Sequence, residues 1–308
     1  MSWHAGIDLG GSSVKAVAVT TEGRTLNQSN CDFDRDAPMQ WGERVRAALG
    51  EFQRERGSCP ASIGVSAPGL AAADGRYIAV MPGRLEGLER LDWTNWLKAT
   101  KPVPVLNDAH AALIGEAWLG AARGFRNVLL LTLGTGVGGA IIADGKLLRG
   151  AFGKAGHLGH LCLDPHGPPD VCGMPGSLEL AIGNCTIARR TGGRFQTTHD
   201  LVAATSAGDA LARDIWLDSV RALACAIGSF ANILDPEAVI IGGGIARSGA
   251  ALFESLQQFL DEVEWRPGGG RVKLLPAALG ELAGAYGAAF NALRGGEYSG
   301  FSSPDPVS

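Results

Sequence analysis

The sequence lacks the features that mark several broad classes of protein. Its 27 Lys and Arg residues are outnumbered by 31 Asp and Glu, for a net charge of −4, and no basic run stands out. Sequence-independent binding to nucleic acid therefore has no electrostatic basis. No apolar signal region opens the chain, and the most apolar stretch, residues 128–143, is interrupted by glycines and threonines. Because a membrane helix needs about 20 apolar residues, we expect neither a nucleic-acid partner nor a membrane partner.

Closely spaced cysteines are also absent. The six cysteines lie far apart in 308 residues, which predicts reduced thiols in a cytoplasmic protein. At about 150 residues per domain, this length favours two domains. Glycine is abundant, with 45 residues, about twice the usual share. Glycine is needed where an ordered backbone turns tightly or approaches a ligand closely, so the composition favours a binding protein or an enzyme.

Two parts of the chain share one pattern, in which a strand, a glycine-rich loop and a second strand follow each other. The first has strands at 5–9 and 14–20 around Gly10-Gly11-Ser12-Ser13. The second has strands at 127–133 and 139–143 around residues 134–138, and ends in the hairpin turn Asp144-Gly145. The repeat predicts two α/β halves that hold a nucleotide between them. The alternative is that both loops are ordinary tight turns.

Periodicity and cap residues predict the other elements. We predict a third strand after Gly23 and a helix that Gly57 ends. The predicted helices are 40–56, 93–100, 108–118 with Asp108 as its cap, 178–190, 209–234, a further helix after Gly242-Gly243-Gly244, and 279–293. The predicted strands are 62–66, 77–80, 103–106 and 238–241. Residues 150–177 show no period and predict a long functional loop. The tail from Gly295 is predicted to be disordered.

Two glycine-rich loops are candidates for phosphate binding. Gly10-Gly11-Ser12-Ser13 offers backbone N–H groups and hydroxyls without obstruction, and Asp8 would point its carboxylate there, where it suits a magnesium ion. Residues 134–139 formally match the dinucleotide pattern G-x-G-x-x-G. That pattern requires a helix after the loop, whereas a strand follows here, so a second phosphate-binding hairpin fits better.

Asn107-Asp108 lies where a predicted strand ends and a helix begins. The helix dipole favours an ionised carboxylate at this end, and phosphoryl transfer needs a positioned carboxylate to accept the proton of the attacking hydroxyl. Asp is also a favoured N-cap. The case for Asp108 as a general base therefore depends on the two phosphate loops.

The densest group of ligand-type side chains lies in the long loop and just after it. Its members are His157, His160, Cys162, His166, Asp170, Cys172 and Glu179. The group has no C-x-x-C pair, and its spacings do not form a standard four-ligand zinc site. The alternative to zinc is a polar pocket that forms hydrogen bonds with a hydroxyl-rich ligand.

A set of motifs along the chain carries a resemblance to a known family. The motifs are Gly6-Ile7-Asp8-Leu9-Gly10-Gly11, Met81-Pro82-Gly83, Asn107-Asp108-Ala109-His110-Ala111-Ala112, Gly115-Glu116-Ala117-Trp118, Thr132-Leu133-Gly134-Thr135-Gly136-Val137-Gly138-Gly139, Gly159-His160 and Gly242-Gly243-Gly244. In this set and order the chain resembles the ROK family (repressors, open reading frames, kinases) of the actin-like, hexokinase-like ATPase clan. The resemblance covers about residues 4 to 293.

The resemblance implies a fold and a reaction. The fold would be a two-domain, actin-like α/β ATPase fold (ribonuclease H-like) with its active-site cleft between the domains. Residues 1–107 and 284–308 would form the small domain, and 108–283 the large one. The reaction would be ATP-dependent phosphorylation of a sugar hydroxyl, at O6 by family inference, with Mg²⁺. A homodimer is expected.

The resemblance also implies roles for residues by motif position. Asp108 would be the general base. The phosphates of ATP would contact Asp8, Gly10, Gly11, Ser12, Ser13, Gly134, Thr135 and Gly136; the adenosine would lie by Gly243 and Gly244; the sugar would contact Asn107, His157, His160 and Glu179.

Two departures from the family pattern matter. His157 stands where the family usually has Glu, which leaves the sugar open. The bacterial N-acetylmannosamine kinases also have His there, beside a run like Asp164-Pro165-His166-Gly167-Pro168, which favours an N-acetylhexosamine. The zinc segment C-x-C-G-x-x-G-C-x-E reads here as residues 170–179 with one cysteine, Cys172, so that His160 and Cys172 are the only family-type ligands left. We therefore expect no zinc ion, with Gly176 and the prolines holding the loop.

The sequence bears on three alternatives to an ATP-dependent kinase. A sugar-responsive repressor would need a DNA-binding module before the first loop, where seven residues precede Asp8. A sugar-binding regulator without catalysis is opposed by the presence of Asp108 and both phosphate loops. Polyphosphate as the donor, as in a polyphosphate-using glucokinase, stays open.

Overall fold

The computed structural model describes residues 2–81 and 85–296. Pro82 and Gly83, which belong to one of the motifs above, and the predicted disordered tail after Gly296 lie outside the described residues. Helices and strands follow each other in this order: β1 His4–Leu9, β2 Ser13–Val19, β3 Thr25–Asp32, α1 Gln40–Arg56, β4 Ser62–Ala67, β5 Leu70–Ala71, β6 Ile78–Val80, α2 Trp93–Trp96, β7 Val105–Asn107, α3 Asp108–Leu119, β8 Val128–Leu133, β9 Val137–Ala143, β10 Lys146–Leu147, α4 Leu178–Ile182, α5 Ile187–Arg190, α6 Thr198–Ser206, α7 Ala210–Leu234, β11 Ala238–Gly242, α8 Ala250–Val263, β12 Lys273–Pro276 and α9 Ala283–Leu293.

Two compact units divide the chain. The first contains the chain up to Gly124, Asp144–Ala155 and the chain from Ala278 onward; the second contains Phe125–Ala143 and Gly156–Ala277. The sequence-based border lies at 107/108 instead. The contacts of the folded chain assign α3 to the first unit, because α3 packs along α9.

The first unit is built on a five-stranded sheet in the order β3-β2-β1-β4-β7. β1 pairs antiparallel with β2 and parallel with β4, so that Asp8 lies opposite Ser66 at the end of both parallel strands. β7 continues the sheet in parallel with β4 and ends at Asn107. Asp8, Ser66 and Asn107 therefore come to the same edge of the sheet, where the carboxyl ends of the parallel strands lie.

Helix α9 packs closely on this sheet because glycine stands at the contact points. A Cβ atom on Gly6 would collide with the carbonyl oxygen of Ala285 in α9, and one on Gly287 with that of Ala111 in α3. Without side chains at these positions, the backbones of β1, α3 and α9 can touch. This close packing holds the beginning of α3 beside the end of β1.

The second unit repeats the strand pattern of the first. β8 pairs antiparallel with β9 and parallel with β11, and β12 lies parallel to β11 at the edge. The loop between β8 and β9 thus corresponds to the loop between β1 and β2, as the repeat predicted. Asp144 and Gly145 have φ values of 51° and 75°, as the predicted hairpin turn requires.

Helix α7 has the length and hydropathy that a membrane span would need. One face of it, including Trp216, Val220, Leu223 and Ile227, is buried in the core of the second unit. This burial accounts for its apolar residues as core packing.

Most predicted elements are present, with three kinds of correction. The helix predicted at 93–100 ends at Trp96 because Lys98 has a left-handed backbone, with φ 53°. The helix predicted at 178–190 is broken after Ile182, since Gly183 is extended and the N–H groups of Asn184 and Cys185 donate to the carbonyls of Gly134 and Thr135. The short elements β5, α6 and β12 are absent from the sequence prediction because their runs are too brief or too polar to show a period.

Candidate functional site

The loop between β1 and β2 presents free backbone donors. The N–H of Gly10 donates to the carbonyl of Ser13 at 2.9 Å, and that of Phe33 to the carbonyl of Ser12 at 3.0 Å. In residues 2–81 and 85–296, the N–H groups of Gly11 and Ser12 have no hydrogen-bond partner, and both residues are exposed. Such a pair of N–H groups can bind a phosphate oxygen.

Ser13 behaves differently from the rest of that loop. It is buried, and its Oγ accepts a hydrogen bond of 3.1 Å from Lys15 Nζ. The contact holds the ammonium group beside the predicted phosphate loop.

Asp8 ends β1 in a tightly packed environment. Ser66 donates its hydroxyl to Asp8 Oδ1 at 2.6 Å, and a Cβ atom on Gly284 would lie 2.6 Å from the carboxylate. Burial raises the pKa of Asp8 to about 6; the hydrogen bond from Ser66 opposes this rise, and the negative charge of Asp108 adds to it. Two carboxylates that repel each other beside a hydroxyl form the hard oxygen set that Mg²⁺ prefers, so these residues fit a magnesium ion.

Asn107, and not Asp108, is the N-cap of α3. Asn107 has the extended backbone of a cap residue, and its Oδ1 accepts from the N–H groups of Ala109 and His110 at 3.0 and 3.4 Å. Its Nδ2 donates to the carbonyl of Gly69 at 2.9 Å, which leaves one N–H for a ligand. The prediction that Asp108 caps the helix was wrong, because the cap position requires the extended backbone that only the residue before the helix has.

With Asn107 as the N-cap, Asp108 is the first residue of the helix itself. Its side chain is exposed at the first position of α3, and Oδ1 accepts the N–H of Ala109 at 2.8 Å. The helix dipole stabilises an ionised carboxylate here. Asp108 is thus available to accept a proton while Asn107 closes the helix.

In the second unit, the loop between β8 and β9 braces Glu179. The Glu179 Oε2 atom accepts the N–H of Val137 at 3.0 Å, and a Cβ atom on Gly136 would collide with it. Gly136 therefore makes room for a carboxylate. Its neighbour Thr135 is exposed, and a Cβ atom on Gly134 would meet nothing within 4 Å, so these two residues leave space for a ligand.

Gly243 and Gly244 follow β11 and have different reasons to be glycine. Gly243 has φ 88°, and its Cβ would collide with the carbonyl of Leu133, so the fold itself requires glycine there. Gly244 has an ordinary φ of −62° and open space around the Cβ position. A ligand that approaches the backbone at Gly244 would account for it.

The turn 157–160 packs against β9. A Cβ atom on Gly159 would collide with the carbonyl of Val137, which explains the glycine between Leu158 and His160. His157 is half-buried in this turn. The side chain of His160 is 22% exposed and binds Asp170 Oδ2 through Nδ1 at 2.7 Å. Both histidines predicted to contact the sugar thus lie in one tightly packed turn.

His160, Asp170 and Cys172 are the candidate metal ligands, with ligand atoms that all lie within 4.8 Å of one another. Asp170 contacts Nδ1 of the ring, however, and Cys172 Sγ lies 3.4 Å from Nε2. The two nitrogens of an imidazole point in different directions, and a metal ion binds only one of them. Ser177, the remaining position of the segment, offers only a neutral hydroxyl. These residues do not fit a closed zinc site.

Gly176 and the prolines hold the loop, as expected. Gly176 has φ 51°, its carbonyl accepts from the N–H of Leu163 at 2.9 Å, and its N–H donates to the carbonyl of Pro168 at 2.9 Å. Pro169 and Pro175 lie opposite each other in an antiparallel bridge. The loop therefore has a backbone framework of its own.

Sequence reasoning missed Ser66 and underrated Asp170. The signal for Ser66 lies in the parallel register of β1 and β4, which cannot be read from either strand alone. In the sequence Asp170 is only one of several ligand-type side chains of the long loop, whereas in the structure it makes several hydrogen bonds within that loop.

Comparisons with known proteins agree on one family. The model of the ROK family matches residues 4–294. A glucokinase of Halalkalibacterium halodurans is 31% identical, over 92% of this chain and 93% of its own. An N-acetylmannosamine kinase of Escherichia fergusonii is 30% identical, over 92% and 96%. A solved ROK family glucokinase of Streptomyces griseus, in complex with glucose and AMPPNP, is similar with a TM-score of 0.74 and 27% identity, over 95% and 100%. The predicted fold class is confirmed.

Proposed function

Because the chain belongs to the ROK family, we propose that it is an ATP-dependent sugar kinase that transfers the γ-phosphoryl group to a hydroxyl, O6, of a hexose or an N-acetylhexosamine. The observation that carries the proposal is the exposed Asp108 carboxylate at the first position of α3, next to Asn107, which is the N-cap of that helix. A carboxylate in that state suits a general base. The similarity to a glucokinase that binds glucose and AMPPNP supports the same reaction.

In the proposed reaction the sugar hydroxyl attacks the γ-phosphorus and gives its proton to Asp108. The bond from the γ-phosphorus to the bridging oxygen breaks, and ADP leaves. The free N–H groups of Gly11 and Ser12 bind phosphate oxygens, with Lys15 Nζ beside that loop. Asp8 and Ser66 would hold Mg²⁺, which neutralises charge on the phosphates when it is bound. Gly244 leaves its backbone open to the adenosine.

The sugar is held by carboxylate, amide and imidazole groups. Glu179, His160, His157 and the remaining N–H of Asn107 supply directional hydrogen bonds, which can distinguish epimers. The histidine at 157, which the bacterial N-acetylmannosamine kinases also have, favours an N-acetylhexosamine. Free cysteines and the use of ATP support action in the cytoplasm, and we propose a homodimer by family resemblance.

A coupled ADP-release assay with Mg-ATP tests the proposal. The panel contains glucose, mannose, allose, N-acetylglucosamine, N-acetylmannosamine and glucosamine. Each sugar is also tested with polyphosphate, and there the sugar phosphate is measured directly, because polyphosphate releases no ADP. We expect sugar-dependent ADP release that is strongest with one N-acetylhexosamine.

The matched control is Asp108→Asn, which keeps the side-chain volume and leaves the Asn107 cap in place. Loss of the base should lower kcat about 10²- to 10⁴-fold, with little change in the KM for the sugar. The absence of sugar-dependent ADP release with ATP, together with the absence of sugar phosphate with polyphosphate, would contradict the kinase. An unchanged kcat in the variant would remove Asp108 from its role.

A further inference from the structure

Asp170 lies at the centre of the loop that carries the predicted sugar-binding histidines. Its side chain is fully buried. Oδ2 accepts from His160 Nδ1 at 2.7 Å, and Oδ1 accepts from the N–H groups of Cys172 and Met174 at 2.8 and 3.0 Å. One carboxylate thus joins the turn 157–160 to the turn 170–174.

Backbone hydrogen bonds also connect Asp170 to the turn 170–174. The N–H of Asp170 donates to the carbonyl of Met174 at 2.9 Å, and the N–H of Gly173 donates to the carbonyl of Asp170 at 3.0 Å. Ser177, three residues further on, is bridged to Cys162. Glu179 follows at the start of α4. The position of Asp170 is therefore linked to both ends of the segment that contains the predicted sugar contacts.

Among residues 2–81 and 85–296, no Lys or Arg side chain neutralises the charge of Asp170. In the part of the chain that the structure describes, its one ion-pair partner is His160, and no Lys or Arg pairs with it. A buried carboxylate is costly unless hydrogen bonds satisfy it. Burial alone would raise its pKa, but the hydrogen bonds of His160, Ser177, Met174 and Cys172 outweigh this effect and lower the pKa. The Ser177 contact is weaker than the others, since its Oγ has no hydrogen bond of normal geometry among the described residues.

The contact with Asp170 also determines which nitrogen of His160 carries the hydrogen in the neutral ring. An ionised carboxylate only accepts hydrogen bonds, so Nδ1 of His160 must carry a hydrogen. In the neutral ring, Nε2 is then an acceptor, and the thiol of Cys172 lies 3.4 Å from it. Nε2 is thereby an acceptor that the thiol of Cys172 contacts in this structure, and a sugar hydroxyl that binds there would replace the thiol as its donor.

We propose that Asp170 is a metal-independent positioning residue: its buried carboxylate fixes the orientation and the tautomer of His160 and joins the two turns of the sugar-binding segment. The part that concerns sugar binding rests on the proposed function. The structural part does not, since it concerns only contacts within this loop.

The first test uses the wild-type chain and needs no activity. Elemental analysis of the purified protein should find zinc well below one ion per chain, and a chelator should leave the thermal midpoint unchanged. Two-dimensional ¹H–¹⁵N spectra of the histidine rings, with His160 assigned by comparison with His160→Gln, should show hydrogen on Nδ1. One tightly bound zinc ion per chain, or a ring with hydrogen on Nε2 alone, would overturn the proposal.

The second test compares Asp170→Asn with Asp164→Asn. Asp164 is exposed in the same loop and serves as the matched control. Loss of a charged acceptor should raise the KM for the sugar about 10- to 100-fold, while the KM for ATP stays within about twofold of the wild-type value. The tautomer of His160 should also change in Asp170→Asn but not in Asp164→Asn.

The outcomes separate this proposal from the proposed function. Unchanged sugar KM and unchanged ring spectra in a folded Asp170→Asn variant would overturn the positioning role. If the variant does not fold, the metal content and ring spectra of the wild-type chain still decide the matter. If the wild-type chain phosphorylates no sugar, the proposed function fails, while the same spectra and metal analysis continue to test the role of Asp170 in its loop.

Discussion

Replacement of Asp8 by asparagine should stabilise the folded chain near neutral pH and abolish most of its activity. The pKa of Asp8 is raised from 3.8 to about 6, chiefly by burial. Because the folded state binds this proton more tightly than the unfolded chain does, the contribution of Asp8 to stability is greatest below about pH 4. It falls as the pH rises from about 4 through the folded pKa near 6, and is constant at higher pH. Ionised Asp8 is therefore a cost of folding at neutral pH.

The size of this effect follows from the pKa difference. About two pKa units, at 1.36 kcal/mol each, correspond to about 3 kcal/mol of lost stability between pH 4 and pH 7. Asparagine has nearly the same shape and can still accept the hydroxyl of Ser66, which lies 2.6 Å from Asp8 Oδ1, but it carries no charge. We expect Asp8→Asn to gain about 2–3 kcal/mol relative to the wild-type chain between these pH values.

Urea unfolding at pH 4.5 and pH 7.5 without divalent cations measures this difference. Wild-type and variant chains are compared at each pH, so pH effects shared by both cancel. Asp36→Asn, a change at an exposed residue of the first unit, is the control and should show no pH-dependent gain. Addition of Mg²⁺ at pH 7.5 should stabilise the wild-type chain more than Asp8→Asn. A difference between Asp8→Asn and wild type that stays constant, or falls, as the pH rises would refute the reasoning.

Three further changes test other parts of the structure. Gly136→Ala puts a Cβ atom into the Glu179 carboxylate and should raise the KM for the sugar at least about 10-fold. The control, Gly270→Ala, lies in open space with φ −61° and should leave this KM unchanged. The same KM in both variants would show that Glu179 does not bind the sugar. Cys172→Ser, at an exposed thiol, should change the free energy of unfolding by less than about 1 kcal/mol, and a large loss accompanied by zinc in the wild-type protein would restore the metal site. Gly287→Ala forces α9 away from the carbonyl of Ala111 and should lower stability in urea by about 3 kcal/mol or more; an unchanged midpoint would show that the contact between α3 and α9 can relax.

The hairpins and their loops could be predicted well because their signals are local. Alternating apolar residues, glycine-rich loops and the turn Asp144-Gly145 each lie within a few residues of the structure they specify, and β1, β2, β8 and β9 follow them. Helix α1 likewise begins and ends where predicted, with Gly57 in the left-handed region after it. Asp8 and Asn107-Asp108 could be predicted as site residues for the same reason, because each lies in a short local motif.

The cap of α3 and the partners of Asp8 could not be predicted in this way. Whether Asn107 or Asp108 caps the helix depends on where the extended backbone of β7 ends, and both residue types are good caps. Ser66 reaches Asp8 because β1 and β4 pair in parallel in one particular register. Register between strands that are more than 50 residues apart is decided by packing of the whole sheet.

The sequence by itself determined the repeated strand-loop-strand pattern, the α/β class and the family, because these depend on local periodicity and on motifs in a constant order. Tertiary structure alone decided which groups meet. It brought Ser66 and Gly284 to Asp8, Gly136 to Glu179, and His160 to Asp170. The physical reason is that burial, hydrogen bonding and the pKa of a carboxylate depend on neighbours that are distant in sequence, and only the folded chain places those neighbours within a few ångströms.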